Sequence, residues 1–171
     1  MKNIQSIKFD KRFYINELDL ERIKKRKISK YEFIEIPVGR VRRYLDGKIF
    51  DLYHTDAYKL LDNPNNKETQ KNYEEYCKNY CYEYENRGRE NFKNLANSIR
   101  ANEYDPLKGV IVVDQLYIIA DGQHRCCILL NKFGPKYKIK VLKIKYNDIG
   151  IKTYIRNFAY NIKQFFKGKN Y

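Results

Sequence analysis

No stretch of this sequence stays apolar for the ~18 residues or more that a membrane-crossing helix needs, so no span is expected. The opening segment, MKNIQSIKFDKRFY, lacks a continuous apolar core and is not a secretory signal, which predicts a cytoplasmic protein. Cysteines are few: Cys77, Cys81, Cys126 and Cys127. In a reducing compartment they stay as thiols. Cys77 and Cys81 lack zinc-knuckle spacing and have no second ligand pair, and the adjacent Cys126 and Cys127 do not readily bond each other. Neither a structural metal nor a disulfide is expected. Acidic residues are scarce: 21 Asp and Glu stand against 35 Lys and Arg, a net charge of +14. Such an excess points to nucleic acid or another anionic surface. Lys is abundant together with Asn, Tyr and Ile, as in A/T-rich coding sequence, so a solvated basic surface accounts for the charge equally well. There is no internal repeat and no low-complexity linker.

What is present argues for a folded chain. The 171 residues are 43% hydrophobic and include 17 tyrosines, enough for one domain with extensions. Residues 1–30 read as an extension, with a helix over Ile15–Ile28 that carries the basic run ERIKKRK. Such a run touches phosphates in some proteins and is more often a solvated helix face. Tyr31–Val38 alternates as a strand, Phe33 and Glu35 pointing one way and Ile34 and Ile36 the other. Residues 48–90 read as a helical insertion, with a short helix over Thr55–Leu61 and a longer one over Lys67–Glu85. In the longer helix Tyr73, Tyr76, Cys77 and Tyr80 fall at helical spacing. This stripe covers a core or stacks on bases, and the neighbouring Glu74, Glu75, Glu83 and Glu85 oppose a phosphate backbone. Glu90–Asn102 is amphipathic. Val110–Val113 and Leu116–Ile119 form a hairpin pattern, and Tyr137–Tyr146 alternates as a last strand. Residues 147–171 hold an amphipathic helix over Ile151–Phe166. Its clustered Ile151, Tyr154, Ile155, Phe158, Ile162, Phe165 and Phe166 are expected to pack on the domain, although a basic aromatic tail also suits a partner or a membrane surface.

The chemistry concentrates in LYIIADGQHRCCILL, Leu116 to Leu130. An apolar strand stops at Asp121-Gly122, and Gln123 opens a helix that Gly134 and Pro135 end. The first N–H groups of a helix lack intrahelical acceptors and lie at the positive end of its dipole. Gly122 permits close approach, and Arg125 supplies a guanidinium fork, so the turn suits a phosphate. Each residue also has an ordinary explanation: a DG turn, a capping histidine, a first-turn arginine set against the dipole. Upstream, Arg40, Arg42 and Arg43 form a second basic cluster. It reads as a contact for phosphate or an acidic substrate, or as charge that protects an edge strand.

The helix ENFKNLANSIRANEYDP, the hairpin GVIVVDQLYIIADG and the GQHR box together resemble the ParB/sulfiredoxin superfamily over Phe92–Leu130, and over about 31–146 with flanking strands. The resemblance implies an α+β fold: a small mixed sheet with packed helices, here with a helical insertion and a C-terminal helix. It also implies that the strand–turn–helix box binds nucleotide phosphates. Members include partition proteins that bind CTP and DNA, sulfiredoxins that use ATP, and free-serine kinases with a box much like DGQHR. Sulfiredoxins need a cysteine where this chain has Gln123. Partition proteins usually carry Arg-Arg where this chain has His124-Arg125, and they continue into a helix-turn-helix domain for which the ~40 residues after the box are too few.

The resemblance therefore implies a nucleotide-binding phosphotransferase, a kinase using ATP or another nucleotide with Mg²⁺, that acts on a small polar metabolite such as an amino acid or sugar. Gly122, Gln123, His124 and Arg125 would hold the phosphates. Asp121 would orient the turn, hold Mg²⁺ or act as base, and His124 and Glu35 are the other candidates for proton transfer. The alternatives are a ParB-like nucleic-acid-binding protein or nuclease, and a nucleotide-sensing module without turnover. Arg125→Ala is expected to abolish nucleotide binding and spare the fold, a first-turn arginine being exposed.

Overall fold

The computed structural model describes residues 28–80, 88–147 and 149–168. The expected helix over Ile15–Ile28 lies almost wholly outside them. The described chain is an α+β fold with a four-stranded mixed sheet and a separate two-stranded hairpin. Strand β1, Ile28–Pro37, pairs antiparallel with β6, Lys138–Tyr146, from Ile28 opposite Tyr146 to Pro37 opposite Lys138. Strand β4, Ile111–Asp114, runs parallel to β6, and β5, Ile119–Asp121, returns antiparallel on β4. The order is β1-β6-β4-β5.

Strand β1 does not continue into the arginine cluster. Val38–Arg40 is a single 3₁₀ turn, so period-two facing stops there. It is tied to the segment just before β6, where Val38 N–H donates to Tyr137 O and Gly39 N–H to Pro135 O. A Cβ on Gly39 would lie 2.7 Å from Pro135 Cβ, which is why this crossing takes glycine. Strand β2, Arg42–Leu45, then pairs with β3, Lys48–Asp51. Asp46 and Gly47 between them both have positive φ, 48° and 76°, as a two-residue hairpin with the twist of its strands requires. The stretch assigned to a helical insertion thus begins with a strand.

The described residues form five helices, named in chain order. They are α1 (Asp56–Asp62), α2 (Lys67–Tyr80), α3 (Arg89–Asn102), α4 (Gln123–Phe133) and α5 (Ile151–Phe166). Thr55 caps α1, its Oγ1 accepting from Tyr58 N–H. The first four helices contribute to one cluster with Ile36, Ile111, Val113, Ile119, Ile139 and Val141 of the sheet. Tyr73 and Cys77 of the α2 stripe belong to this core and are fully buried, with Tyr76 packed against it. A smaller cluster gathers Val110, Val112, Leu142, Ile144 and Tyr146. Strand β4 is therefore buried along its whole length. Strand β6 is likewise buried on both sides, Val141 in one cluster and Leu142 in the other.

Helix α5 departs from expectation. Its half-buried residues are Thr153, Asn157, Tyr160 and Gln164, a polar stripe at helical spacing, and it meets the domain at β3 and through side chains of β2 and the β4–β5 turn. Arg42 donates to Asn157 Oδ1 at 2.7 Å, Tyr160 OH donates to buried Asp51, and Arg156 donates to Tyr44 OH at 2.9 Å. The residues expected to pack are exposed, Phe158 at 66%, Phe165 at 67% and Phe166 at 81%.

Candidate phosphate-binding turn

The sequence order strand, DG, helix folds as read. Gly122 precedes α4 with φ 84° and ψ 23°, left-handed backbone that costs an L side chain about 1–2 kcal/mol. A Cβ at Gly122 would also lie 3.0 Å from Ile111 Cγ1 and 3.1 Å from Ile111 Cα. The helical ladder starts at Cys126 N–H, which donates to Gly122 O, so the earlier N–H groups of α4 fall outside it.

Asp121 and Arg125 organise this turn. Asp121 Oδ1 accepts from Gly122 N–H at 2.6 Å, and its Oδ2 lies 3.3 Å from Arg125 Nη2. The same Nη2 donates to Val110 O at 3.1 Å. The two side chains are 11% and 23% exposed, so the expectation of an exposed Arg125 is corrected: the guanidinium ties the first turn of α4 to β4. Gly109 makes room for it, since a Cβ there would lie 2.7 Å from Arg125 Nη1. Gly109 drew no attention in the sequence, because its role depends on a side chain 16 residues away in the chain. Gln123 is 8% exposed, and its Oε1 is a buried acceptor without a hydrogen-bond partner, as Arg125 Nε is a buried donor without one.

His124 is half-buried on the helical side. Its Nε2 lies 3.3 Å from Tyr73 OH, and its ring sits 4.8 Å from that of Phe92. Tyr73 and Phe92 stack on each other at 5.2 Å. Helices α2 and α3 thus set the histidine ring, and Tyr73 joins the site from a stripe that periodicity alone marks only as amphipathic.

The other candidates lie elsewhere. Glu35 sits on β1, paired with Lys138 at 3.5 Å, while Asp121 sits on β5 at the opposite edge of the sheet. Three strand spacings, roughly 14 Å, separate those edges. The three arginines engage different partners, although Arg40 acts electrostatically on Arg42. The Arg40 guanidinium lies 3.9 Å from the Tyr117 ring centroid, with Lys143 Nζ 4.5 Å from the same centroid. Arg42 is taken by Asn157 and lies 4.7 Å from the Tyr160 ring centroid, where burial lowers its pKa against the opposing effect of Tyr160 and Asp51. Arg43 has a buried Nε without a partner, and its charge acts on the Cys127 thiol.

Neither thiol beside the box is a ready nucleophile. Burial pushes Cys126 well above the usual thiol range and Cys127 up to about 12, although Thr55 Oγ1 lies 3.3 Å from Cys127 Sγ. Among the described residues no group of three or more His, Cys, Asp or Glu is gathered to hold a metal. Asp121 fits Mg²⁺ poorly, since both its oxygens are engaged and a cation would have to displace Arg125. No helix among the described residues is long and apolar enough to cross a membrane. Comparison with protein-family models, curated proteins and solved structures finds no match to this chain.

Proposed function

We propose that this chain is a nucleotide-binding protein of ParB/sulfiredoxin type whose phosphate site is the β5–α4 turn, and that it transfers a phosphoryl group to a small polar acceptor. The observation that carries the reading is the pairing of opposite needs in one turn. Helix-end N–H groups and a fixed guanidinium suit phosphate oxygens. Beside them the Gln123 amide holds a buried acceptor that lacks a donor, which a ribose hydroxyl or an exocyclic base amine would supply. A nucleotide carries both groups. Phosphoryl transfer asks mainly for positioning and charge neutralisation, and His124, set against Tyr73, is the group to take the acceptor proton.

A second reading is a nucleotide sensor without turnover. It is favoured by the engagement of Asp121 with Arg125 and by the place of Glu35 across the sheet. The test is calorimetric titration of ATP, ADP, CTP and GTP with Mg²⁺, followed by nucleotide consumption with and without amino acids and sugars. Consumption only with an added acceptor supports transfer, and binding without consumption supports sensing. A salt-dependent shift on DNA with no nucleotide binding would move the protein to the nucleic-acid class. Arg125→Lys keeps the charge, removes the fork and is the cleaner probe of the site. Unchanged nucleotide affinity in that variant would count against the turn.

A further inference from the structure

We propose that α5 is a surface-seeking helix that lays its exposed apolar stripe into the interface of an anionic phospholipid bilayer. In a soluble domain an amphipathic helix ordinarily buries its apolar side and leaves its polar side to water. Here the arrangement is reversed. Thr153, Asn157, Tyr160 and Gln164 face the protein, held by Arg42 and by the buried Asp51 carboxylate. Ile151, Ile155, Phe158, Ile162, Phe165 and Phe166 face out, each between 42% and 81% exposed. A contiguous apolar face of this kind on a protein surface marks an interaction site. The polar docking holds the helix already formed, with that face presented.

Charge selects the occupant. From residue 149 to residue 171 the sequence has no Asp or Glu, and it carries Lys152, Arg156, Lys163, Lys167 and Lys169. Arg156 is taken by Tyr44. On a helical projection Lys152 and Lys163 flank one edge of the apolar stripe, where long cationic side chains reach headgroups while the stripe is inserted. A second copy would bring the same cations against each other, and the whole chain, at +14, adds to that repulsion. Anionic headgroups compensate them. The helix has 16 residues, about 24 Å at 1.5 Å per residue, too short to cross a bilayer and suited to lying along it.

The experiment is co-sedimentation of the full chain with vesicles of phosphatidylcholine alone or with about a third phosphatidylglycerol. The parent is expected to pellet with the anionic vesicles, and less so as salt rises. Phe158→Asp with Phe165→Asp should weaken partitioning by roughly tenfold or more, at an unchanged melting temperature since both rings are exposed. Lys152→Glu with Lys163→Glu should remove the preference for anionic vesicles. The proposal is overturned if the parent stays in the supernatant with anionic vesicles at low salt. It is equally overturned if light scattering finds a dimer that Phe158→Asp converts to monomer, because the face would then join two copies.

Discussion

At Gly122 two constraints coincide, a φ of 84° and the Ile111 backbone where a Cβ would go. Neither is relieved by a side-chain rotation, so Gly122→Ala should destabilise the protein by about 3 kcal/mol, the left-handed cost plus the displacement of β4. Urea denaturation measures it, and a loss under about 1 kcal/mol would show that the turn adjusts freely. Arg125 carries a different burden, because its removal takes one donor from the mostly buried Asp121 carboxylate, at Oδ2, and one from the Val110 carbonyl. Arg125→Ala should therefore cost about 2 kcal/mol, and a double-mutant cycle with Asp121→Asn should return a coupling of about 1 kcal/mol. Additive single losses would mean that the pair does not interact. The DG turn and the first-turn arginine were legible because the strand, the break and the helix are adjacent in the sequence. Gly109 and Tyr73 were not, since each acquires its role from a side chain that only the fold brings near. The distance of Glu35 from the turn was not legible either, because nothing in one strand's alternation says at which edge of a sheet it will lie.

Elements were legible where the pattern was strong. Strands β4 and β6, the box helix and the amphipathic α3 lie where periodicity puts them. The strand before the box is instead Ile119–Asp121 rather than Leu116–Ile119, because Asp114 Oδ1 accepts from Leu116 and Ile118 N–H and Tyr117 turns with a positive φ of 61°. Hairpin β2–β3 escaped because its strands have only four residues each, too few for alternation to show. The outward turn of α5 escaped for another reason: the spacing of apolar residues tells which side of a helix they share and not what lies opposite that side. Thr153, Asn157, Tyr160 and Gln164 decide that, through a buried carboxylate on β3 and an arginine on β2. Tyr160 is the pivot. Burial and the hydrogen bond to Asp51 push its pKa above the usual phenol range, so the proton stays on the phenol and is donated to the carboxylate. Tyr160→Phe should loosen the docked helix by about 1–2 kcal/mol, the cost of leaving a buried carboxylate without that donor. Amide exchange within α5 should then rise roughly tenfold, while exchange in β4 and β6 stays at the parent's rate. Uniform acceleration across the sheet would place Tyr160 in the global core rather than at the seat of one helix.

For the molecule as a whole, the core between helix α4 and the sheet buries protons that the unfolded chain would release. Cys127 holds its proton up to about 12, and Cys126 is raised in the same sense, both chiefly by desolvation. Tyr104 OH accepts from Ile111 N–H and donates to Lys140 O, and burial raises its pKa as well. In each case the folded pKa lies above the unfolded one, so below about pH 9 both states hold these protons and stability does not depend on them. Above pH 9 the unfolded thiols ionise and the folded ones do not, and folding free energy falls by about 1.4 kcal/mol per pH unit for each thiol. The two thiols together should remove about 3 kcal/mol between pH 8 and pH 10, with the buried tyrosines adding to the fall beyond that. The net charge of +14 acts the other way, since lysines that lose their protons relieve self-repulsion. Comparison with Cys127→Ser separates the two effects, because both proteins carry the same lysines. Urea denaturation at pH 8, 9 and 10 should show the variant losing about half as much stability to its thiols as the parent. Parallel slopes would mean that Cys127 reaches solvent and that the core beneath the box helix opens on the timescale of the titration.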